Sequence, residues 1–323
     1  MNDARIATAR PDGRTFSLTT VLRQYGVLII IGLLLILLTF ASDSFLTPRN
    51  LLNIINQSAP LMIIACALTL VIIGGGFDLS TGAIFGVAAV SAGWIATNID
   101  PYLGLIAGPV IGLVLGILNG LIITTFNVHS FLVTLATSLV YRGIAILITG
   151  GSLIPVRIDQ FSWLGRGRIG MVNIAIIVLV IFIAIMMILL NRTTFGRRVF
   201  AVGGNEEAAI LSGIRTNLVK TATFAISGAA AGLAGIITVS RLSMAEPQAG
   251  AGFELEAIAA VILGGTAITG GAGAIWRSVA GVLLMALIGN GFNILNVNPF
   301  FKDLTTGVII VIAVALAANR SRR

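Results

Sequence analysis

Charge is what this sequence has least of. Asp, Glu, Lys and Arg make up 10% of its 323 residues, whereas 57% are hydrophobic and the mean hydropathy is +1.05. Soluble domains carry about 25% charged residues, and a surface so short of them could not stay wetted and free of apolar patches. Soluble enzymes, disordered tails and fibres are thereby excluded. The single cysteine, Cys66, lies inside an apolar run, so no internal disulfide can form and the residue reads as packing. The single histidine, His129, has no cysteine or acid cluster to join, which removes a metal site. The only lysines, Lys220 and Lys302, follow Val219 and Phe301; without a Gly-Lys pair there is no Walker-type phosphate loop. Missing too are the chain of acids and histidines that a proton relay needs and a nucleophile–base pair for an enzyme. No cofactor is implied. What is plentiful is glycine, 38 residues without a collagen period. A polytopic, all-α membrane protein remains.

The net charge of +8 and pI near 11 would point to nucleic acid in a soluble domain. Here the basic residues sit in short breaks between apolar runs, with no aromatic interleaving, so they report topology instead. Ten runs are candidate spans: 26–41, 59–73, 83–96, 103–126, 131–149, 172–190, 218–239, 255–263, 276–295 and 304–318. About 20 helical residues cross the hydrocarbon, so the eighth is too short and is expected to continue into the glycine-rich stretch after it. Residues 48–57 read as a short surface segment before the second span. With the N-terminus inside, the cytoplasmic breaks hold Arg5, Arg10, Arg14, Arg23, Arg192, Arg197, Arg198, Arg215, Lys220, Arg277, Arg320, Arg322 and Arg323. The external breaks hold only Arg49, Arg157, Arg166, Arg168, Arg241 and Lys302, which favours both termini inside. The chain then divides into a tail 1–25, a transmembrane domain 26–318 with a cytoplasmic loop 191–217, and a tail 319–323. A cleavable signal peptide is the rival reading of the first run, but Phe40-Ala41-Ser42-Asp43 is a poor cleavage site.

Five features carry mechanism. Gly104, Gly108, Gly112, Gly116 and Gly120 recur every four residues in the fourth span, and Ser227, Gly228, Gly232 and Gly235 give the seventh a similar face. Such faces make a close helix–helix seam or a moving groove. Residues 70–82 and 260–271 resemble each other: an apolar helix runs into Gly74-Gly75-Gly76 or Gly264-Gly265-Thr266, then a hydroxyl-bearing loop. Interrupted helices in corresponding places suggest a parallel internal repeat and mark where a transporter tolerates irregular backbone. Asp78 and Arg142 are charges near the membrane interior, and each needs a partner. Either the two approach one another or Asp78 caps the helix that begins near Thr81. Asn119, Asn290, Asn293 and Asn296 glue helices together or line a polar route, and a lining of amides and hydroxyls such as Ser80 suits an uncharged polyhydroxylated solute. In the longest cytoplasmic loop, Asn205 is an N-cap, Glu206 and Glu207 suit a first turn and Gly213 an exit. This spacing predicts a surface helix over 206–212 exposing Ala209 and Leu211, either for docking into another protein or as a solvated connector.

Gly75-Gly76-Phe77-Asp78-Leu79-Ser80-Thr81-Gly82 resembles the Gly-Gly-Ile-Asp-Leu-Ser-Val-Gly signature of the ribose-type (monosaccharide) ABC transporter permeases. Residues 203–214 are similar to that family's loop, and 241–243, 252–260 and 263–266 fit in order, so the likeness runs from about Phe45 to the C-terminus. Phe77 and Thr81 depart from the family's Ile and Val. The resemblance implies a bacterial inner-membrane permease of the type II importer fold, ten helices per subunit in two pseudo-repeated halves. It also implies a second permease subunit as a homodimer, a cytoplasmic ATP-binding subunit, a periplasmic sugar-binding protein, and no nucleic acid. In such systems the loop holding Gly204, Asn205, Glu206, Glu207, Ala208, Ala209 and Gly213 docks on the ATPase and drives alternating access. Gly75, Gly76, Asp78, Ser80, Asn119, Arg142, Gly264, Gly265, Thr266, Asn290 and Asn293 are the candidates for pathway or gate. Permeases for branched-chain amino acids or nucleosides, an ion-coupled carrier and a passive channel are the competing functions.

Overall fold

In hydrocarbon every backbone N–H and C=O must find a partner inside the chain, and helices alone do this segment by segment. The computed structural model describes residues 18–298, with 300, 301, 304, 305, 307–309 and 311 beyond them. It is helical almost throughout: α1 (Leu18–Ala41), α2 (Pro48–Ile73), α3 (Thr81–Asn98), α4 (Pro101–Phe126), α5 (Ser130–Thr149), α6 (Asp159–Arg166), α7 (Ile174–Arg192), α8 (Thr194–Gly204), α9 (Glu206–Leu211), α10 (Thr216–Leu242), α11 (Phe253–Leu263) and α12 (Ile275–Ile294). Among the described residues six of these, α2, α4, α5, α7, α10 and α12, are long and apolar enough to cross a membrane, and Gly26–Ala41 is a shorter apolar stretch. The tails 1–17 and 319–323 and most of the expected tenth span, 304–318, lie outside the described residues.

Helix starts follow the local chemistry. Asp100 caps α4 by accepting from Tyr102 N and Leu103 N at 2.8 and 2.9 Å, with Pro101 in the first turn. His129 caps α5, its Nδ1 accepting from Phe131 N at 3.3 Å. α2 departs from expectation: residues 48–57 are no separate surface segment but the first turns of one helix through Pro60. Proline cannot donate to the carbonyl four residues back, which here is Asn56 O. Arg241 on α10 supplies the missing donor, its Nη1 lying 2.8 Å from that oxygen.

α2 and α10 form the centre, 78% buried over their apolar windows, whereas α4, α5 and α7 are about one-third buried or less and turn apolar faces outward. The glycine ladder is a seam. A Cβ on Gly112 would meet Gly228 O, one on Gly228 would meet Gly112 O, and one on Gly232 would meet Gly108 O. Gly116 and Gly120 abut Phe224 and Thr221 in the same helix α10, and Gly104 abuts Ala92 and Ala96 of α3. The backbones of α4 and α10 therefore touch, which is how helices attract where hydrophobicity cannot help.

Two corrections concern irregular backbone. The eighth span does not continue past Leu263; α11 ends there, and the shortfall lies on its N-terminal side. Residues 246–252 run along α3, with the carbonyls of Pro247 and Gly250 in the places that Cβ atoms of Gly86 and Gly82 would take. The sixth span begins at Ile174, after a hairpin of β2 (Arg168–Ile169) and β3 (Val172–Asn173). This hairpin, α6 and the pairing of β1 (Ile154–Pro155) with β4 (Met244–Ala245) build a cap at one end of the bundle. Ser240 on α10 fastens the cap, its Oγ accepting from Gly165 N at 2.7 Å and donating to Phe161 O at 2.6 Å. That end is here named for Arg168 and the opposite one for Leu211.

Candidate functional site

The segment between α2 and α3 is unwound and lies inside the protein. Asp78 is fully buried, and its carboxyl oxygens accept from Ser80 N at 3.0 Å, Ser80 Oγ at 2.5 Å and Ser227 Oγ at 2.8 Å. Asn119 Nδ2 donates to Ser80 Oγ at 2.7 Å, and Tyr141 OH donates to Asn119 Oδ1 at 2.9 Å. Ser130 and Thr134 of α5 accept from Phe77 N and Leu79 N at 2.9 and 3.1 Å. Side chains of α5 thus replace helical bonds that this backbone gives up, while Asn119 of α4 and Ser227 of α10 hold the side chains of Ser80 and Asp78. Sequence reasoning placed Asp78, Ser80 and Asn119 near one another in role, and the structure joins them. It missed Tyr141, Thr134, Ser130 and Ser227 as members, although Ser130, Thr134, Ser138 and Tyr141 recur at helical spacing on one face of α5.

Asp78 and Arg142 do not pair. Arg142 Nη2 lies 3.6 Å from Glu254 Oε1 in the first turn of α11. Hydroxyl and backbone donors already hold Asp78, so it needs no guanidinium. Its Oδ1 bonds the N–H of Ser80, the residue that precedes α3, which is close to the capping alternative.

The two helix interruptions share one geometry. At the end of α2, Gly74 N, Gly75 N and Gly76 N donate to Leu70 O, Ile72 O and Val71 O at 2.9, 3.0 and 2.9 Å. At the end of α11, Gly264 N, Gly265 N and Thr266 N donate to Ala260 O, Ile262 O and Val261 O at 2.9, 2.8 and 3.2 Å. Gly75 and Gly265 carry φ of +81° and +97°, a left-handed turn that favours glycine. The interruptions also touch, because Gly271 N donates to Ile73 O at 2.8 Å. Gly203, near the end of α8, packs so closely on Ile73 O and Gly271 N that no side chain fits.

α8 leads straight into α9. Asn205 Oδ1 caps α9 by accepting from Ala208 N at 2.9 Å, and Glu206 pairs with Lys220 at 2.6 Å. Ala209 is 4% exposed and packs inward, contrary to expectation, since the adjacent wall of α10 lies on its side. Ile210 and Leu211 project instead, at 54% and 89% exposure. Glu207, Ala208 and Gly204 are exposed, and Gly213 takes the left-handed exit with φ of +78°. The preceding α8 went unread in the sequence, although Thr193 caps it through Gly196 N.

Of the amides near the end of α12, one ties helices together. Asn290 and Asn50 exchange reciprocal hydrogen bonds of 2.9 and 3.2 Å, tying α12 to the start of α2. Asn293 is exposed, Asn296 lies past the helix with φ of +52°, and the buried Thr266 Oγ1 has no hydrogen-bond partner among the described residues.

The chain matches the family model described as branched-chain amino acid transport system / permease component over residues 50–314. It is 41% identical over 304 residues to a ribose import permease protein of Bacillus subtilis, covering 93% of this chain and 94% of that one. A ribose import permease protein of Escherichia coli is 36% identical over 315 residues, 96% of this chain and 98% of its own. A D-allose transport system permease protein of Escherichia coli is 34% identical over 316 residues, 97% of each chain. No solved structure matches.

Proposed function

Since the chain belongs to the branched-chain amino acid transport system / permease component family and is the permease subunit of an ABC importer, we propose that it carries a monosaccharide, ribose or a close relative, inward by alternating access. The substrates of its relatives, ribose and D-allose, support a sugar.

In this reading the chain sits in the bacterial inner membrane with ten helices of the type II importer arrangement in two pseudo-repeated halves, and both termini face the cytoplasm. A second copy completes the translocation unit. A periplasmic sugar-binding protein delivers the solute to the Arg168 end, and an ATP-binding subunit grips the Leu211 end. α9, with Asn205, Glu206, Glu207 and Ala208 around it, is the docking piece. One observation carries this assignment: the exposed Ile210–Leu211 knob is joined, through Gly203, to the end of α2 and to the loop after α11. ATP-driven closure of two such knobs would therefore reach both interruptions directly.

Reconstitution tests it. Proteoliposomes holding the permease, its ATPase and its binding protein should accumulate D-ribose only when ATP is inside the ATPase compartment, and the permease alone should accumulate none. Uphill uptake by the permease alone would overturn the reading. Leu211→Asp should remove stimulation of the ATPase by the liganded binding protein while the chain remains inserted.

A further inference from the structure

At the Arg168 end a basin of about 690 Å³ opens between the start of α2 and the hairpin that leads into α7. Two arginines line it, Arg49 in the first turn of α2 and Arg168 on β2. Both are exposed, and neither has a carboxylate partner among the described residues. None of the lining residues is an acid. Two helices also begin on its wall, α2 just before Arg49 and α7 just after Asn173, and the partial positive charge of each helix start adds to that of the guanidiniums. Asn173 makes no capping bond with its side chain and stays available to the basin. The cavity is electropositive, and nothing among the described residues answers that charge.

Asn56, also on the wall, narrows the choice of anion. It is 9% exposed, and its side-chain oxygen has no hydrogen-bond partner among the described residues, an acceptor waiting for a donor. An ionised carboxylate brings acceptors only, whereas a phosphate ester of glycerol brings both a negative charge and hydroxyl donors. The depth of the basin points to a lipid. Trp94, Tyr102 and Trp163 are exposed at this end. Trp94 follows Gly93, which abuts Val156 and Ala245 of the cap, and Trp163 lies on α6 shortly before Arg168. Exposed Trp and Tyr gather where a membrane meets water, at the level of the lipid headgroups. α1, whose exit loop gives Ser44 to the rim, exposes Leu37 and Phe40, and α7 exposes Val180 and Ile181. Acyl chains descending from the basin have these apolar faces to lie against.

We propose that this basin binds the headgroup of an anionic phospholipid of the phosphatidylglycerol type, with Arg49 and Arg168 on the phosphate and Asn56 Oδ1 accepting from a glycerol hydroxyl. The planar guanidinium fork matches phosphate oxygens. A lipid held this way joins the hairpin before α7 to the start of α2. The inference does not depend on which solute the chain carries.

Native mass spectrometry of the full chain tests it, with lipids of equal acyl length added to the detergent micelle. Phosphatidylglycerol should bind about tenfold more tightly than zwitterionic phosphatidylcholine, and Arg49→Gln with Arg168→Gln should remove most of that preference, because charge-assisted hydrogen bonds are lost. Phosphatidylmethanol carries the same charge without hydroxyls. It should bind about threefold more weakly than phosphatidylglycerol, a gap that Asn56→Ala should close. That variant leaves the Asn56 carbonyl in place for Arg241, and gel filtration checks that each variant is folded. Equal binding of phosphatidylglycerol and phosphatidylcholine would overturn the site, as would phosphatidylglycerol binding untouched by the double arginine variant. Free glycerol phosphate binding as tightly as the lipid would overturn the lipid and leave a soluble phosphate ester. If the arginine variant keeps its lipid but loses ATPase stimulation by the liganded binding protein in the assembled importer, the basin docks a protein and the proposal falls. A phosphatidylmethanol gap that survives Asn56→Ala would overturn the part given to Asn56.

Discussion

Glycine is used in two contrasting ways in this molecule. Along the α4–α10 seam it is chosen for size: Gly112 and Gly228 each stand where the other's carbonyl leaves no room for a methyl group. At the interrupted helices it is chosen for conformation: Gly75 and Gly265 hold positive φ, and Gly75 has space around it. The first use welds helices together and the second ends them. Stability should therefore be concentrated in the seam and motion in the interruptions.

The sharpest way to break that contrast is to add volume to each region. Gly112→Leu should prevent folding altogether, since even modest overpacking costs about 1–3 kcal/mol; loss of a monodisperse peak in detergent gel filtration would report it. Asp78→Ala should come next. Losing three hydrogen bonds to a buried carboxyl, at about 1.5–3 kcal/mol for a charged group, should lower the melting temperature far more than Asp78→Asn does. Its effect should add to that of Arg142→Gln, because the two side chains have different partners.

Arg241→Leu leaves Asn56 O without a donor and should cost about 1–3 kcal/mol. Pro60→Ala restores a backbone N–H to that carbonyl, so the double variant should recover most of the loss in thermal unfolding. Strict additivity would refute the account of α2. Smallest on stability are Gly75→Ala and Gly265→Ala, about 1–2 kcal/mol each for a left-handed alanine. Their larger effect should fall on transport per ATP hydrolysed, and to a similar degree at both sites if the two interruptions act as counterparts.

Much of this was legible in the sequence because it is written in periodicities. A four-residue glycine spacing became a seam, paired Gly-Gly breaks became matching helix ends, and Asn205 with Glu206 became a capped surface helix. What escaped was set by distant neighbours. Arg142 meets Glu254 only because residues 246–252 descend beside α3, and no local pattern announces that path. The inward turn of Ala209 depends on α10 behind it, while a helix seen alone has no inside. Nor does anything near Pro60 announce that Arg241, far along the chain, answers the carbonyl that proline leaves bare.

The bond from Gly271 N to Ile73 O has a mechanical meaning. It ties the end of α2 to the loop that follows α11, two far-apart stretches of chain, and parting them would strip a partner from both groups. The two segments are thus yoked like oxen, and Gly203 abuts both. Such a linkage gives up independent adjustment of its halves and gains synchrony.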